Sequence, residues 1–265
     1  MIAAIAGCGM VGGALKRWLK ANTDHELRCQ DPKHGCSDDF EGVDVIFIAV
    51  PVPTKEDRTQ DTTILETLVE RYSVLNPTVP IFVRSSVLPG TCDRLQAKYN
   101  ARVWAMPEFL TERFADEDLS KHPLIVGVPP TYTILPLLRE IFPGKHLLTM
   151  SNLEAEFAKY AHNCFGAMKV GYFNIIQEAC RKVGAEYDRV LAGARMTGFI
   201  EETHTRVPGP DGKFGFGGAC LPKDLSAFSG FLARHEVTGW TTLMDVERDN
   251  FYFRNVKKAS QGKAG

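Results

Sequence analysis

The chain has 265 residues, of which 44% are hydrophobic and 24% are charged, so it is long enough to bury one large core or two smaller ones. Its net charge of −1 argues against a general electrostatic attraction to nucleic acid or to anionic membranes. No apolar run approaches the ~18 residues that a membrane-spanning helix needs, and the apolar N-terminus lacks the basic segment of a signal peptide. We therefore expect a cytoplasmic protein that binds neither nucleic acid nor membrane.

The seven cysteines are an odd number, and none of them forms a C-x-x-C pair. This spacing argues against a disulfide framework and against a zinc site, and it fits a reducing compartment. The cysteines occupy positions 8, 29, 36, 92, 164, 180 and 220. We expect no bound metal.

Residues 1–150 alternate short β-rich runs with helical runs, a pattern typical of a doubly wound parallel sheet. The run at 43–50 is almost entirely apolar, as expected of a strand that is buried on both faces. The predicted strands are 2–6, 26–31, 43–50, 80–83, 102–106 and 124–128. The predicted helices are 11–20, 62–72 and 131–141. We predict a Rossmann-type domain over residues 1–150.

The pattern becomes helical from residue 151 onward. Ser151 and Glu154 have the S-x-x-E spacing of a capping box at a helix start. The helical pattern then continues to about residue 182 with a broad apolar face, which is long for a globular helix. This length favours a connector between domains or the core of a dimer. Shorter helices are predicted at 188–194, 222–234 and 241–255, so residues 151–265 are expected to form an all-α domain.

Gly7, Gly9 and Gly12 form a G-x-G-x-x-G motif that follows the first predicted strand and opens a helix. A dinucleotide pyrophosphate needs this tight turn, this close backbone approach and a helix N-terminus. Asp31 ends the next predicted strand, and its carboxylate can accept a hydrogen bond from a ribose 2′-OH while repelling a 2′-phosphate. We therefore expect NAD rather than NADP, the alternative being a glycine-rich turn without a ligand.

A second glycine-rich stretch, FGFGGACLPKD at residues 214–224, contains Cys220. Pro222 is of a type common at the first helical position, so Cys220 should lie just before a helix N-terminus, where the helix dipole favours a thiolate. Lys223 would add to this effect, and the glycines at 215, 217 and 218 would let another group approach the backbone closely. A small buried thiol is equally compatible with this spacing, so nucleophile and filler both stay open.

Two pairs of polar residues have i,i+4 spacing. Lys159 and Asn163 share one face of the long predicted helix, where an ammonium and an amide could stabilise an oxyanion. Glu108 and Glu112 follow a predicted strand, and sites of parallel sheets form at the carboxyl ends of strands. Taken alone, each pair is more simply explained as solvated polar positions.

Six motifs in order resemble the UDP-glucose/GDP-mannose dehydrogenase family over nearly the whole chain. They are GCGMVG, AVPVPT, RSSVLPGT, PEFLTE, KYAHN and FGFGGACLPKD, and the last is highly specific. The resemblance implies a four-electron oxidation of a nucleotide sugar with two NAD, most simply UDP-glucose to UDP-glucuronate. It also implies an NAD-binding domain over 1–150, a helical central domain over 151–265, and a homodimer formed through the helix at 151–182.

The resemblance assigns roles to individual residues. Cys220 would be the nucleophile that forms a hemithioacetal and then a thioester, which holds the carbon for the second oxidation. Lys159 and Asn163 would stabilise oxyanions. Asp224 and Ser86 would hold a water molecule. Glu112 would be the base in thioester hydrolysis, and Glu108 would support Lys159 or that water. The residues implied to line NAD are Gly7, Gly9, Met10, Val11, Gly12, Asp31, Val50, Pro51, Thr54, Ser85 and Glu112. The residues implied to contact substrate are Phe109, Leu110, Lys159, Asn163, Arg206, Phe214 and Gly217.

The sequence departs from the family pattern in two places. It stops at Gly265, about where the family's C-terminal UDP-binding domain would begin, so we expect that domain to be missing. Ser86 stands where the family often has threonine, which keeps the hydroxyl. The polar loop at 207–215 is expected to contact the substrate nucleotide, with His204 or Arg206 reaching a phosphate.

Two alternatives to this function stay open. A two-domain β-hydroxyacid dehydrogenase also joins a Rossmann domain to a helical domain with lysine and asparagine at i,i+4 spacing, but it needs no thiol and transfers one hydride. An NAD-binding module that depends on a partner chain for the missing domain would bind NAD without turnover.

Overall fold

In the computed structural model, which describes residues 1–128 and 134–261, the chain divides into two compact units. The first unit comprises Met1–Pro53 and Gln60–Lys159, and the second comprises Thr54–Thr59 and Tyr160–Gly265. The division falls within a long helix, and the domain boundary after residue 150 stays a prediction. Within the described residues, no helix is long and apolar enough to cross a bilayer.

A six-stranded sheet organises the first unit. Its strand order is β3-β2-β1-β4-β5-β6, and all neighbouring strands are parallel except for the antiparallel edge strand β3. The strands are β1 (Ile2–Ala6), β2 (Glu26–Asp31), β3 (Cys36–Ser37), β4 (Val45–Ile48), β5 (Ile81–Val83) and β6 (Val103–Ala105). A separate parallel pair joins β7 (Leu124–Val126) to β8 (Leu147–Thr149). The predicted doubly wound fold is confirmed, because the chain proceeds outward from β1 to both edges of the sheet.

The sheet is buried on both faces, which explains the apolar sequence of β4. Phe47 pairs in register with Ile5 and Phe82, and these side chains belong to the hydrophobic cluster on one face. Ile46 and Ile48 alternate with Phe47 and belong to the cluster on the other face. Because successive side chains of a strand point to opposite faces, four consecutive apolar residues satisfy both cores.

The helices of the first unit agree with the sequence where their apolar pattern is strong. They are α1 (Met10–Asn22), α2 (Thr63–Leu75), α3 (Thr91–Tyr99), α4 (Ala115–Lys121) and α5 (Leu135–Ile141), with a short 3₁₀ turn at Pro32–His34. Helices α3 and α4 were missed because they are short and polar, and α4 buries only Ala115 and Leu119. Residues 131–133 of the third predicted helix lie outside the described residues.

The predicted capping box opens α6 (Asn152–Val183). Glu154 Oε2 accepts hydrogen bonds from Ser151 N at 2.7 Å and from Ser151 Oγ at 2.8 Å, while Glu154 N donates to Ser151 Oγ at 3.2 Å. These reciprocal bonds satisfy groups that a helix start otherwise leaves unpaired. The remaining helices are α7 (Tyr187–Arg195), α8 (Leu221–Arg234) and α9 (Trp240–Gln261).

The turn between β1 and α1 requires glycine at two of its three motif positions. A Cβ atom on Gly12 would lie 1.8 Å from the carbonyl oxygen of Gly7, and a Cβ on Gly7 would lie 2.3 Å from that of Ala49. Gly7 also has a φ of +89°, which residues with side chains rarely adopt. A Cβ on Gly9, in contrast, would meet no described atom within 4 Å. Two glycines are therefore fixed by the fold, while the third faces open space.

We predict that Gly12→Ala lowers the free energy of unfolding by about 2–3 kcal/mol, because the added methyl group overlaps a backbone oxygen that cannot rotate away. Gly9→Ala is the matched control and should cost less than about 1 kcal/mol, the scale of a changed N-cap residue. Urea unfolding of the two variants measures both quantities, and equal losses would contradict the distinction.

Candidate active site

The start of α1 fits an anionic group. The N-cap residue is Gly9, which has no side chain that could cap the helix. The first turn of α1, which the structure describes in full, contains no acidic residue. The first amide groups of a helix lack partners within the helix and favour negative charge. With the open space beside Gly9, the turn suits the pyrophosphate of a dinucleotide, as the sequence predicted.

Asp31 lies at the end of β2 and is tied to the same turn. Its carboxylate accepts hydrogen bonds from Cys8 N at 2.6 Å and from Lys33 N at 2.9 Å, and it lies 2.9 Å from His34 Nδ1. Burial acts to raise the pKa of Asp31, but the hydrogen bonds from Cys8, His34 and Lys33 outweigh burial and lower that pKa. The carboxylate is thus ionised and held beside the glycine turn, and its part in ribose recognition stays a prediction.

Of the other residues predicted to line NAD, Val50, Pro51 and Ser85 follow strands at the carboxyl edge of the sheet. Ser85 Oγ donates to Val50 O at 2.7 Å and accepts from Val50 N at 3.0 Å, which joins the segments that follow β5 and β4. Pro51 follows in sequence and is exposed. Thr54 belongs to the second unit, where its Oγ1 donates to the main-chain oxygen of Lys223 at 2.9 Å.

A small cavity in the first unit lies beyond the ends of β5 and β6. Its lining residues are Val83, Ser85, Ser86, Val87, Ala105, Pro107, Glu156 and Lys159. Three of these, Ser85, Ser86 and Lys159, were predicted as site residues from the sequence. The carboxyl end of parallel strands is where such folds place their ligands.

Lys159 is almost completely buried and is matched by Glu108. Its Nζ donates to the main-chain oxygen of Glu108 and lies 3.3 Å from Glu108 Oε1, while the ammonium lies 5.2 Å from the centre of the Phe109 ring. Glu108 Oε2 in turn accepts from Leu110 N. Because an isolated buried ammonium is costly, the carboxylate, carbonyl and aromatic ring together hold the charge in place.

The other predicted residues of this region are less enclosed. Glu112 is exposed, so its roles as base and as NAD contact stay predictions. Ser86 is half-buried, and its main-chain oxygen accepts from Gln60 Nε2 at 3.1 Å. Phe109 and Leu110 are half-buried, and Leu110 packs against the hydrophobic cluster of the sheet.

The sequence analysis missed Glu156, a buried carboxyl group that lines the cavity. It accepts hydrogen bonds from Gly90 N at 2.6 Å and from Cys92 N at 2.8 Å, and so caps the N-terminus of α3. Burial raises its pKa to about 7, against the lowering effect of the bonds from Cys92 and Gly90. A contact with the start of α3 could be found from the sequence only if that short helix were predicted first.

Arg84 was also missed, and it follows β5 directly. The side chain is buried, and none of its three guanidinium nitrogens has a hydrogen-bond partner among the described residues. Burial lowers its pKa to about 10, while the charge of Glu108 opposes that change, so the group stays cationic at neutral pH. Buried donors without protein partners are rare, and they occur where strain, function or an ordered water or ion accounts for them. The charge of Glu108 thus stabilises two buried cations, Lys159 and Arg84.

In the second unit, Cys220 is the N-cap residue of α8, which confirms its predicted place before a helix. The thiol-bearing residue is half-buried, and its main-chain oxygen accepts from Asp224 N at 2.9 Å. The Asp224 carboxylate is fully buried and accepts from Asn163 Nδ2 at 2.6 Å and from Lys223 Nζ. Three predicted catalytic residues, Cys220, Asp224 and Asn163, therefore gather around the first turn of α8.

The glycines before Cys220 serve the protein's own packing. A Cβ on Gly217 would lie 1.6 Å from Arg254 Nη2, and a Cβ on Gly215 would lie 2.4 Å from Asn250 Oδ1. Asn250 Oδ1 also accepts from Phe216 N at 2.7 Å. Side chains of α9 therefore approach Gly215 and Gly217, and the predicted contact of Gly217 with substrate stays a prediction.

Of the other predicted substrate contacts, Phe214 is half-buried, whereas Arg206 and His204 are exposed. Their roles in binding a nucleotide stay predictions.

A pyrophosphate-binding turn on a doubly wound sheet, followed by a helical unit, is the organisation of an NAD-dependent dehydrogenase. The NAD binding domain of the UDP-glucose/GDP-mannose dehydrogenase family matches residues 13–143, and the central domain of that family matches residues 153–250. These matches cover most of the sequence, so the chain belongs to the UDP-glucose/GDP-mannose dehydrogenase family. The match to the NAD binding domain lies in the first unit except for Thr54–Thr59.

Comparison with individual proteins agrees with this assignment. The chain is 32% identical over 213 residues to the UDP-glucose 6-dehydrogenase of Rickettsia typhi. The aligned region covers 76% of this chain and 48% of that protein. The chain thus spans about half the length of the curated relatives it matches.

Two solved structures illustrate the fold. A UDP-glucose dehydrogenase from the hyperthermophilic archaeon Pyrobaculum islandicum gives a TM-score of 0.80 at 22% identity, covering 95% of this chain and 68% of that one. A 3-hydroxyisobutyrate dehydrogenase from Mycobacterium tuberculosis gives a TM-score of 0.69 at 19% identity, covering 95% of this chain and 93% of that one. At these identities the likeness supports the fold alone.

The raised pKa of Glu156 predicts a pH-dependent stability. The folded state holds this proton more tightly than the unfolded state, so the stabilisation is complete below about pH 4.5 and is lost as the pH rises through about 7. We predict that Glu156→Gln removes this dependence. The difference in unfolding free energy between wild type and variant should then fall by about 2 kcal/mol between about pH 5.5 and about pH 8, at about 1.4 kcal/mol per pKa unit.

Urea unfolding at about pH 5.5 and about pH 8 measures the difference. Glu154→Gln is the control, because the hydrogen bonds from Ser151 lower the pKa of Glu154 and place its titration below this range. A difference for Glu156→Gln that stays constant between the two pH values would refute the prediction.

Proposed function

We propose that this chain takes part in the NAD-dependent four-electron oxidation of a nucleotide sugar, with UDP-glucose as the substrate and UDP-glucuronate as the product. The observation that carries the proposal is Cys220 at the N-terminus of α8, beside the Asp224–Asn163 pair, in a chain that belongs to this family. The assignment of UDP-glucose is supported by the curated relatives named UDP-glucose 6-dehydrogenase.

In the first step the primary alcohol of the sugar loses a hydride to NAD and a proton to solvent, which gives an aldehyde. Lys159 and Asn163 are one helical turn apart in α6, so their ammonium and amide groups are on one face and are suited to stabilise the alkoxide oxygen. The Glu108 contacts fix the position of the ammonium before substrate arrives, which is the condition for electrostatic catalysis.

In the second step the Cys220 sulfur adds to the aldehyde carbon and forms a hemithioacetal. Loss of a second hydride to a second NAD leaves a thioester, and water then cleaves the carbon–sulfur bond to release carboxylate and regenerate the thiol. The dipole of α8 favours the thiolate needed for attack and for departure. We assign Asp224 and Ser86 to holding the water and Glu112 to deprotonating it.

A single-hydride β-hydroxyacid dehydrogenase is the second candidate. The observation that favours it is the i,i+4 pair of Lys159 and Asn163 on α6, a pair that this class of dehydrogenase also carries. That chemistry gives no role to Cys220, and so the two candidates differ in what the thiol does. An NAD-binding module that awaits a partner chain is a third candidate.

We predict that Cys220→Ser reduces acid formation on the order of 10³-fold, the scale of losing a catalytic nucleophile, because serine is a poor substitute for a thiolate. The assay incubates the protein with NAD and a panel of nucleotide sugars and counts NADH per acid formed. The wild type should give two NADH per acid with UDP-glucose. Cys180→Ser is the matched control, since Cys180 is a buried thiol elsewhere in the second unit, and it should keep the wild-type stoichiometry.

Other results select the other candidates. One NADH per product, with a carbonyl product and no effect of Cys220→Ser, would establish the β-hydroxyacid type. NAD binding without turnover on every sugar would establish the module that needs a partner.

We also propose that the chain forms a homodimer through the second-unit part of α6. Phe165, Tyr172 and Ile175 have 66%, 56% and 47% of their surfaces exposed. Their spacing of seven and three residues places them along one side of the helix. A row of large exposed apolar side chains is typical of a surface that another protein covers.

We predict that the wild type sediments as a dimer and that Phe165→Asp with Tyr172→Asp converts it to a monomer, because the charges would be buried in the apolar interface. Phe199→Asp is the control, since Phe199 is more exposed still but lies outside α6, and it should leave the dimer intact. Sedimentation equilibrium distinguishes these outcomes. A monomeric wild type, or dimerisation of the double variant with unchanged affinity, would overturn the proposed interface.

A further inference from the structure

Three cysteines that are far apart in sequence meet beside the glycine turn. Cys8 lies in the turn between β1 and α1, Cys29 lies on β2, and Cys36 begins β3. Their sulfur atoms all lie within 4.8 Å of one another. Cys29 is buried, whereas Cys8 and Cys36 are half-buried, so the cluster has one side open to solvent.

Main-chain bonds hold these cysteines in place. Cys36 pairs with Asp31 in the antiparallel register of β3 and β2, and the Asp31 carboxylate also accepts from Cys8 N. Cys29 N donates to Asp38 Oδ2 at 2.7 Å, while Cys29 O accepts from Asp38 N at 3.0 Å. The cluster is therefore fixed by the sheet edge and the turn, as a preorganised site requires.

The sulfur positions suit a metal ion. A tetrahedral ion with metal–sulfur bonds of about 2.3 Å separates its sulfur ligands by about 3.8 Å, so three sulfurs within 4.8 Å need only small rotations to reach that geometry. Thiolate ligands select soft or borderline ions over magnesium and calcium. With three protein ligands and an open side, a water would complete the coordination.

The Lys16 ammonium lies beside the sulfur atoms, while the Asp31 and Asp38 carboxylates accept hydrogen bonds from main-chain amides of the cluster. Lys16 Nζ lies 3.0 Å from Cys29 Sγ and 3.9 Å from Cys36 Sγ. Three thiolates and a divalent ion sum to a charge of −1, which the Lys16 ammonium neutralises. A monovalent ion such as Cu(I) would leave a charge of −2 on the cluster, so a divalent ion is the less costly occupant of this half-buried place.

We propose that Cys8, Cys29 and Cys36 form a three-thiolate site for a thiophilic divalent metal ion, with Zn²⁺ as the natural choice and Lys16 as its charge-balancing neighbour. The cysteines at these positions lack C-x-x-C spacing, which is why the sequence analysis expected no metal. None of the three cysteines has a proposed role in the oxidation, although Cys8 lies between Gly7 and Gly9 of the motif proposed to line NAD.

The test uses the full chain, stripped of metal and kept reduced with a phosphine, and titrated with Co²⁺ as an optical probe. We expect one equivalent of Co²⁺ to produce thiolate-to-cobalt charge-transfer absorption and the intense visible bands of a tetrahedral site, and we expect Zn²⁺ to abolish both. Cys36→Ser should weaken Co²⁺ binding by more than about tenfold, since even the loss of an outer-shell partner costs roughly 10–100-fold. Cys180→Ser and Cys220→Ser are the controls and should bind Co²⁺ with wild-type affinity.

A second measurement does not depend on the folding of a variant. X-ray absorption at the zinc edge of the wild-type protein, loaded with one equivalent of Zn²⁺, should show three sulfur ligands at about 2.3 Å and one lighter ligand. The proposal is overturned if the wild type shows no thiolate bands with Co²⁺, if Cys36→Ser binds as tightly as the wild type, or if zinc has fewer than three sulfur ligands.

Discussion

The buried ammonium of Lys159 is the constraint around which the candidate site of the first unit is arranged. Its charge lies out of water and is compensated by the carbonyl and carboxylate oxygens of Glu108 and by the Phe109 ring. Separating Lys159 from Glu108 would leave a buried charge without a partner, which is strongly destabilising. The pair therefore holds the segment after β6 against α6. This contact places Lys159 in the cavity lined by Ser85, Ser86 and Glu156.

Two buried cations lie in this part of the first unit, and buried cations suit the proposed reaction, which generates an alkoxide. Arg84 and Lys159 are buried cations, and Glu108 acts on both. Glu156 adds a carboxyl group whose pKa of about 7 leaves it only partly ionised at neutral pH, because burial disfavours its charge. Buried cations held in fixed positions can stabilise a developing oxyanion, which is the role proposed for Lys159.

The sequence predicted those parts of the fold and site that are encoded by local patterns. The alternation of apolar and helical runs was sufficient to predict the parallel strands, and β4 is wholly apolar because it is buried on both faces. The spacing of Ser151 and Glu154 predicted the start of α6. What it missed depends on contacts between distant segments. Glu156 gains its role from α3, and the loop glycines gain theirs from α9, so no local pattern distinguishes them. The closeness of Arg254 to Gly217 was not predictable from the sequence for the same reason.

The surroundings of the cysteines show how one residue type can serve unlike purposes in a single chain. Cys164 lies near the same buried Asp224 that follows Cys220 by one helical turn, and burial together with the charge of Asp224 raises the pKa of Cys164 to about 12. Burial likewise raises the pKa of Cys92 well above its ordinary value, with the charge of Glu156 adding to the effect. Both thiols are thereby kept protonated, whereas Cys220, the proposed nucleophile, is the N-cap residue of α8, and the N-terminus of a helix favours negative charge. Reactivity is thus decided by what the fold places next to each sulfur, and spacing along the sequence is a poor guide to it.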